Sequence, residues 1–164
     1  MRTRLRFRGE IVPASSVHLG DLVVIEQGQN DLLVIRVTIG HTNYALVLSQ
    51  LGDDSPTPTP HLVVFDSLAA DTTPVRRITG DLVIEPRSRE IQHVLTVRQE
   101  LPIPNGGIAA LHGGGTGIYV ETKDGPMVFD LGSGRQVDRP ALHAIGHWRL
   151  LWVDGEHDIE LCAL

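Results

Sequence analysis

Apolar residues along this 164-residue chain gather in short runs separated by glycine, proline and small polar residues. The run that orders the rest is Gly20-Asp21-Leu22-Val23-Val24-Ile25-Glu26, and it returns as Gly80-Asp81-Leu82-Val83-Ile84-Glu85. Each copy is a turn pair followed by an apolar, β-branched stretch, which predicts the start of a buried strand. Trp148-Arg149-Leu150-Leu151-Trp152-Val153-Asp154 is a looser third copy. A polar turn at 27–31 and a return over Leu32–Ile39 make the first copy a hairpin. The second turns at 86–90 and returns over 92–98; the third turns at Asp154-Gly155 and returns over 157–163. Strand parity then puts Trp148, Leu150 and Trp152 on one buried face, and turns Ile159, Leu161 and Ala163 inward.

A second kind of hairpin alternates with the first. Tyr44–Ser49 faces His61–Asp66 across a proline loop, in which Pro56, Pro58 and Pro60 hold the chain extended. Ile118–Lys123 faces Met127–Leu131 across Asp124-Gly125-Pro126, and Asp-Gly between such runs is a strong hairpin signal. The two share a motif, Val64-Phe65-Asp66 and Val128-Phe129-Asp130. Helix is expected as a turn within 105–111 and as a short segment from Asp138, the N-cap, to Ile145, with Gly146 as its stop; the return over 92–98 could also be helical, since Ile91, Val94 and Leu95 fit one face, but Val94, Thr96 and Val97 favour strand. The pattern predicts a single all-β domain of antiparallel hairpins with internal repetition. Its two related halves are expected at about 18–86 and 87–164, as a β-sandwich or two fused small SH3-like barrels.

Composition agrees with this. Seventeen glycines and ten prolines favour many short strands and turns over long helices. A chain of this length buries roughly 70% of its unfolded surface and needs no staples. Cys162, the only cysteine, excludes an intrachain disulfide and reads as a small packed hydrophobe. No apolar run is long enough to span a bilayer. The first residues lack the apolar core of a secretory signal, so a soluble cytoplasmic protein with no membrane contact is expected.

Charge is uneven. The net charge is −6, yet Arg2, Arg4, Arg6 and Arg8 open the chain with no acid among them, leaving ten basic against twenty acidic residues in the rest. In an extended strand the four arginines point one way and Leu5 and Phe7 the other. Such a strip protects an edge from aggregation or meets an acidic partner. The acidic body makes nucleic acid an unlikely partner.

Three constellations are candidates for chemistry. His112-Gly113-Gly114-Gly115 has the look of a lipase oxyanion loop, but no G-x-S-x-G nucleophile elbow accompanies it. It leads through Thr116-Gly117 into a strand, so it is not a phosphate loop either. Its expected role is a hairpin-opening loop that could line a binding site. His143 and His147, four apart, would share a helical face as weak metal candidates, with a third ligand to come from His112, Glu156 or His157. Asp66 and Asp130 follow a phenylalanine in equivalent runs and could pair as acid and base, although aspartates at strand ends more often bind turn amides. No cofactor and no metal are expected.

Gly20–Glu26 followed by Tyr44-Ala45-Leu46-Val47-Leu48-Ser49 resembles the ribonuclease toxins of the MazF/PemK type. Those toxins open with a Gly-Asp-apolar strand and carry a similar strand in an SH3-like barrel. The Arg-Pro that precedes that strand in the family is replaced here by Asn43-Tyr44. The resemblance implies an RNA-cleaving hydrolase. The reading favoured by the residues is a non-catalytic binding or interaction protein, with a protein partner or self-association, as part of a larger assembly. A hydrolase, toxin-like or otherwise, with a loop-built site near Gly113–Gly117 is the alternative.

Overall fold

The structure, a computed structural model, describes residues 9–28, 30–51, 60–87, 92–93, 105–111, 113–138, 143–145, 147–154 and 157–163. The arginine strip, His112 and Glu156 lie outside them. The protein is all-β and antiparallel, as the sequence pattern requires. The first half holds β1 (Gly9–Pro13), a 3-10 turn (Ala14–Ser16), β2 (Leu22–Gln27), β3 (Asn30–Ile39), β4 (Thr42–Leu51), β5 (His61–Val64), the one-turn helix α1 (Phe65–Leu68), β6 (Pro74–Ile78) and β7 (Asp81–Pro86). The second holds β8 (Gln92–His93), β9 (Ile108–Ala110), β10 (Thr116–Thr122), β11 (Gly125–Asp130), β12 (His143–Ile145), β13 (Trp148–Asp154) and β14 (His157–Ala163). They form a six-stranded sheet in the order β1-β6-β2-β3-β4-β5, a five-stranded sheet β11-β10-β9-β12-β8 and a three-stranded sheet β14-β13-β7. None closes on itself among the described residues.

The continuous apolar run of β2 has a direct cause. Leu22 and Val24 enter one core with Leu33, Ile35, Leu46 and Leu48. Val23 and Ile25 enter a second, on the opposite face, with Val34, Val47, Phe65 and Val75. A strand buried on both faces has no polar side to show. The second core is covered by the 3-10 turn and α1, and the Arg36 guanidinium stacks 4.9 Å from the Phe65 ring centroid while donating to the Val17 carbonyl. The first core is shared by all three sheets: Ile118, Val120 and Phe129 come from the five-stranded sheet, and Trp148, Leu150, Trp152 and Leu161 from the three-stranded one.

Several expectations are corrected. The second Gly-Asp-Leu run finds its partner far along the chain: β7 pairs with β13, more than sixty residues on, from Trp148↔Pro86 to Val153↔Asp81, while Gln92 and His93 of its expected return form β8 against β12 and residues 94–98 lie outside the described residues. Leu22 therefore sits in an inner strand and Leu82 in the outer strand of another sheet, and Leu82 and Val83 are exposed, not buried. The two runs share a local device instead. Gly20 and Gly80 both have positive φ, +84° and +123°, which a side chain resists. A Cβ on Gly80 would lie 2.7 Å from the Trp152 indole nitrogen, and one on Gly20 would run into the Gly132 carbonyl. Residues 75–78, read as no element, form β6 and complete the sheet between β1 and β2. The helical turn expected within 105–111 contains β9; of the helix expected over 138–145, residues 139–142 lie outside the described residues and His143–Ile145 are strand β12, which pairs with β9 and β8. In both places sheet partners outweigh a weak local preference.

Elsewhere the pattern holds. The pairs β2–β3, β4–β5, β10–β11 and β13–β14 are antiparallel hairpins. Trp148, Leu150 and Trp152 are buried on one face. On β14 the register passes from Leu151↔Glu160 to Leu150↔Cys162, so Leu161 is an extra residue and both it and Cys162 reach the core.

Candidate functional site: a cleft where three sheets meet

Local turn chemistry builds the site. At the end of β11, Asp130 folds the chain back: its Oδ1 accepts the Gly132 N–H at 3.0 Å and its Oδ2 accepts the Ser133 hydroxyl at 2.8 Å. This is the turn-capping use of aspartate. The turn then docks on the six-stranded sheet. Thr38 N–H donates to the Gly134 carbonyl at 2.9 Å, and a Cβ on Gly134 would run into the Arg36 carbonyl and the Gly20 nitrogen. Two chain segments can approach this closely only without side chains. Asp21 fixes the other wall of the contact by accepting the His18 N–H at 2.9 Å and facing Arg77 at 3.7 Å. Arg77 also pairs with Glu10, whose hydrogen bond is the main cause of its raised pKa.

The three-stranded sheet is tied in from the opposite side. The Trp148 indole N–H donates to the Gly106 carbonyl at 2.6 Å, and Trp152 donates to Thr79 O at 3.1 Å. Asn105 bridges the remaining pair of sheets, donating to Pro60 O and accepting the Glu121 N–H.

Between these ties the sheets do not meet fully. They leave a partly open cleft of about 310 Å³. Its floor is the buried side chains of Leu22, Ile35, Leu48, Trp148 and Leu150. Leu82 and Ile84, from the outer strand β7, form one lip. The other lip carries the polar groups, with Leu131 among them: Gly115 and Thr116 at the entry to β10, and Asp130, Leu131 and Gly132 at the end of β11 and its turn. Among the described residues, the lining includes no lysine, arginine or histidine. The volume falls in the range of small-molecule sites, and an apolar wall with a few polar groups at one end is their usual character.

The structure brings together only part of what the sequence singled out. Gly115 lines the cleft, with Gly113 and Gly114 beside it in the turn joining β9 to β10. Asp130 is in the rim, but Asp66 lies in the first turn of α1, so the expected carboxylate pair does not share one position. His143 lies in β12 and His147 just beyond it, exposed, so the helical face that would have joined them does not exist. Among the described residues, no three His, Cys, Asp or Glu side chains gather to hold a metal. Burial pushes the Cys162 thiol up to about 12, which leaves it protonated and unreactive at neutral pH. Gly132 and the lip residues Leu82 and Ile84 were not singled out as site residues. The signal available for them was Asp130-Leu131-Gly132-Ser133-Gly134, an aspartate turn with two glycines.

No protein-family model matches this chain, and the searches of curated proteins and of solved structures find no match for it.

Proposed function

We propose that this is a non-catalytic binding protein whose ligand is a small molecule with an apolar body held in the cleft between the three sheets. The observation that supports this is the cleft itself: about 310 Å³ with a buried apolar floor and one polar rim. An apolar ligand body seated there would take the apolar floor and lip out of water, which favours binding. The rim supports binding over hydrolysis. Both Asp130 oxygens already hold the turn, and the Ser133 hydroxyl donates its proton to Asp130 with no histidine in that pair to activate it.

Calorimetric titration with octanol, alongside thermal melting, tests the cleft directly. Saturable binding and a raised melting temperature are expected. Ile84→Phe narrows the cleft from an edge strand, where added volume is tolerated, and should weaken binding by about tenfold or more. No saturable binding, or binding unchanged in that variant, would sink the proposal.

Association with a protein partner or a second copy is the second reading. It draws on Leu82 and Val83, 41% and 43% exposed on opposite faces of β7. Large apolar side chains on an outer strand favour strand-to-strand contact. Sedimentation of Val83→Lys against the native chain tests it, with loss of any dimer expected.

A further inference from the structure

We infer that the cleft selects an amphiphile with a cationic, hydrogen-bond-donating head, an aliphatic amine, and rejects the matching carboxylate. This rests on the proposal above that the cleft holds a ligand, and adds which ligand chemistry fits its rim. Among the described residues, the only ionisable side chain in the lining is Asp130. Each oxygen of that carboxylate accepts one hydrogen bond from its own turn, from Gly132 N–H and from the Ser133 hydroxyl. A carboxylate oxygen has two acceptor positions, so each keeps one in reserve. The neighbouring residue across the rim is Gly115, and a Cβ there would lie 3.4 Å from Asp130 Oδ1. The glycine thus leaves uncovered the oxygen that an incoming donor would use. Thr116, the next residue, also lines the cleft.

Charge decides among heads. An ammonium seated at this rim gains attraction from Asp130, strengthened because the apolar floor excludes water from one side. A carboxylate head is repelled by that charge, and among the described residues the lining offers it no lysine, arginine or histidine. An alcohol can donate one hydrogen bond but carries no charge, so it falls between the two.

Three probes of equal chain length separate these cases: octylamine, octanol and octanoate, titrated calorimetrically into the full chain at pH 7. The amine is expected to bind at least about tenfold tighter than octanoate at low salt, narrowing as salt screens the pair. Asp130→Asn keeps an acceptor for the Gly132 N–H but removes the charge. It should bring amine and carboxylate within about threefold of each other while leaving octanol nearly unchanged. Circular dichroism and a melting curve confirm that the variant is folded; should Asp130→Asn unfold, the salt dependence of the native chain takes its place, with octylamine affinity expected to fall as salt rises and octanol affinity to stay level. A native ratio below about tenfold, or a preference that survives removal of the charge, overturns the head-group assignment while leaving the cleft as a site. Failure of all three probes to bind overturns the cleft itself.

Discussion

Trp148→Ala probes the junction on which the whole arrangement depends. Trp148 is 1% exposed, lies in the core shared by the three sheets and forms part of the cleft floor. Its indole N–H satisfies the Gly106 carbonyl, so one side chain joins the three-stranded sheet to the five-stranded one. Removing a buried tryptophan costs about 3–5 kcal/mol through lost burial and the hole left behind. Here the hole merges with a cleft that is already present, so neighbours cannot collapse into it, and the Gly106 carbonyl loses its donor, worth about 1 kcal/mol or more. The upper part of that range is therefore expected, a large share of the roughly 5–15 kcal/mol that holds a domain together. Urea unfolding followed by circular dichroism measures it. Trp148→Phe keeps a buried aromatic ring but loses the donor and part of the apolar volume, so it should cost roughly a third as much. A loss below about 1 kcal/mol for the alanine variant would mean that the C-terminal hairpin is peripheral and that the shared core is wrong.

Gly20→Ala should cost at least about 2 kcal/mol, because a side chain at φ +84° is strained and its Cβ displaces the Gly132 backbone; an unchanged urea midpoint would contradict the contact. Burial lifts the Cys162 thiol from the usual 9.0 to about 12. The unfolded chain then releases its thiol proton first, so the folded state binds more protons and stability falls as pH rises. The contribution is intact below pH 9 and is lost between pH 9 and about 12, at up to about 1.4 kcal/mol per pH unit. Subtracting the pH–stability curve of Cys162→Ala should isolate that loss; parallel curves would refute it. For the arginine strip, no binding to RNA or DNA at physiological salt is expected; a salt-sensitive mobility shift, abolished when Arg2, Arg4, Arg6 and Arg8 become serine, would overturn that.

What was legible in the sequence was local. Hairpins announced by turn residues, such as Asp124-Gly125 and Asp154-Gly155, form where the pattern puts them. The parity of Trp148, Leu150 and Trp152 followed from the same logic. Strands whose only support is a distant partner were not legible. β6 carries Arg76 and Arg77 between Val75 and Ile78, which breaks any alternation, and its place comes from β1 and β2 on either side. β9 and β12 have three residues each, too few for a period to declare itself. The repeated Gly-Asp-Leu run was real as a turn and misleading as a fold, since turn geometry is coded by two residues whereas β7 finds its partner across the chain. The same division explains the site. Asp130 was visible as a carboxylate after a strand, but the cleft is made by gaps between three sheets, and no single run of residues encodes a gap.

The two-faced burial of the six-stranded sheet has a consequence for how the chain finds its alignment. In a sheet with one wet face, sliding a strand by one residue exposes its apolar side chains and is strongly opposed. Sliding β2 against β3 would merely exchange Leu22 and Val24 with Val23 and Ile25, apolar on either side. Hydrophobicity therefore scarcely distinguishes the native alignment from its neighbours. The discrimination falls to directional features at the strand ends: Gly20 N–H on the Arg36 carbonyl at 2.8 Å, Arg36 N–H on the Asp21 carbonyl at 3.2 Å, and the irregularity in β4 opposite Leu33 and Val34. Misaligned but fully collapsed hairpins should compete with the native one during folding. Weakening the Gly20–Asp21 corner would then slow refolding by populating those slipped states, beyond what its effect on equilibrium stability alone would account for.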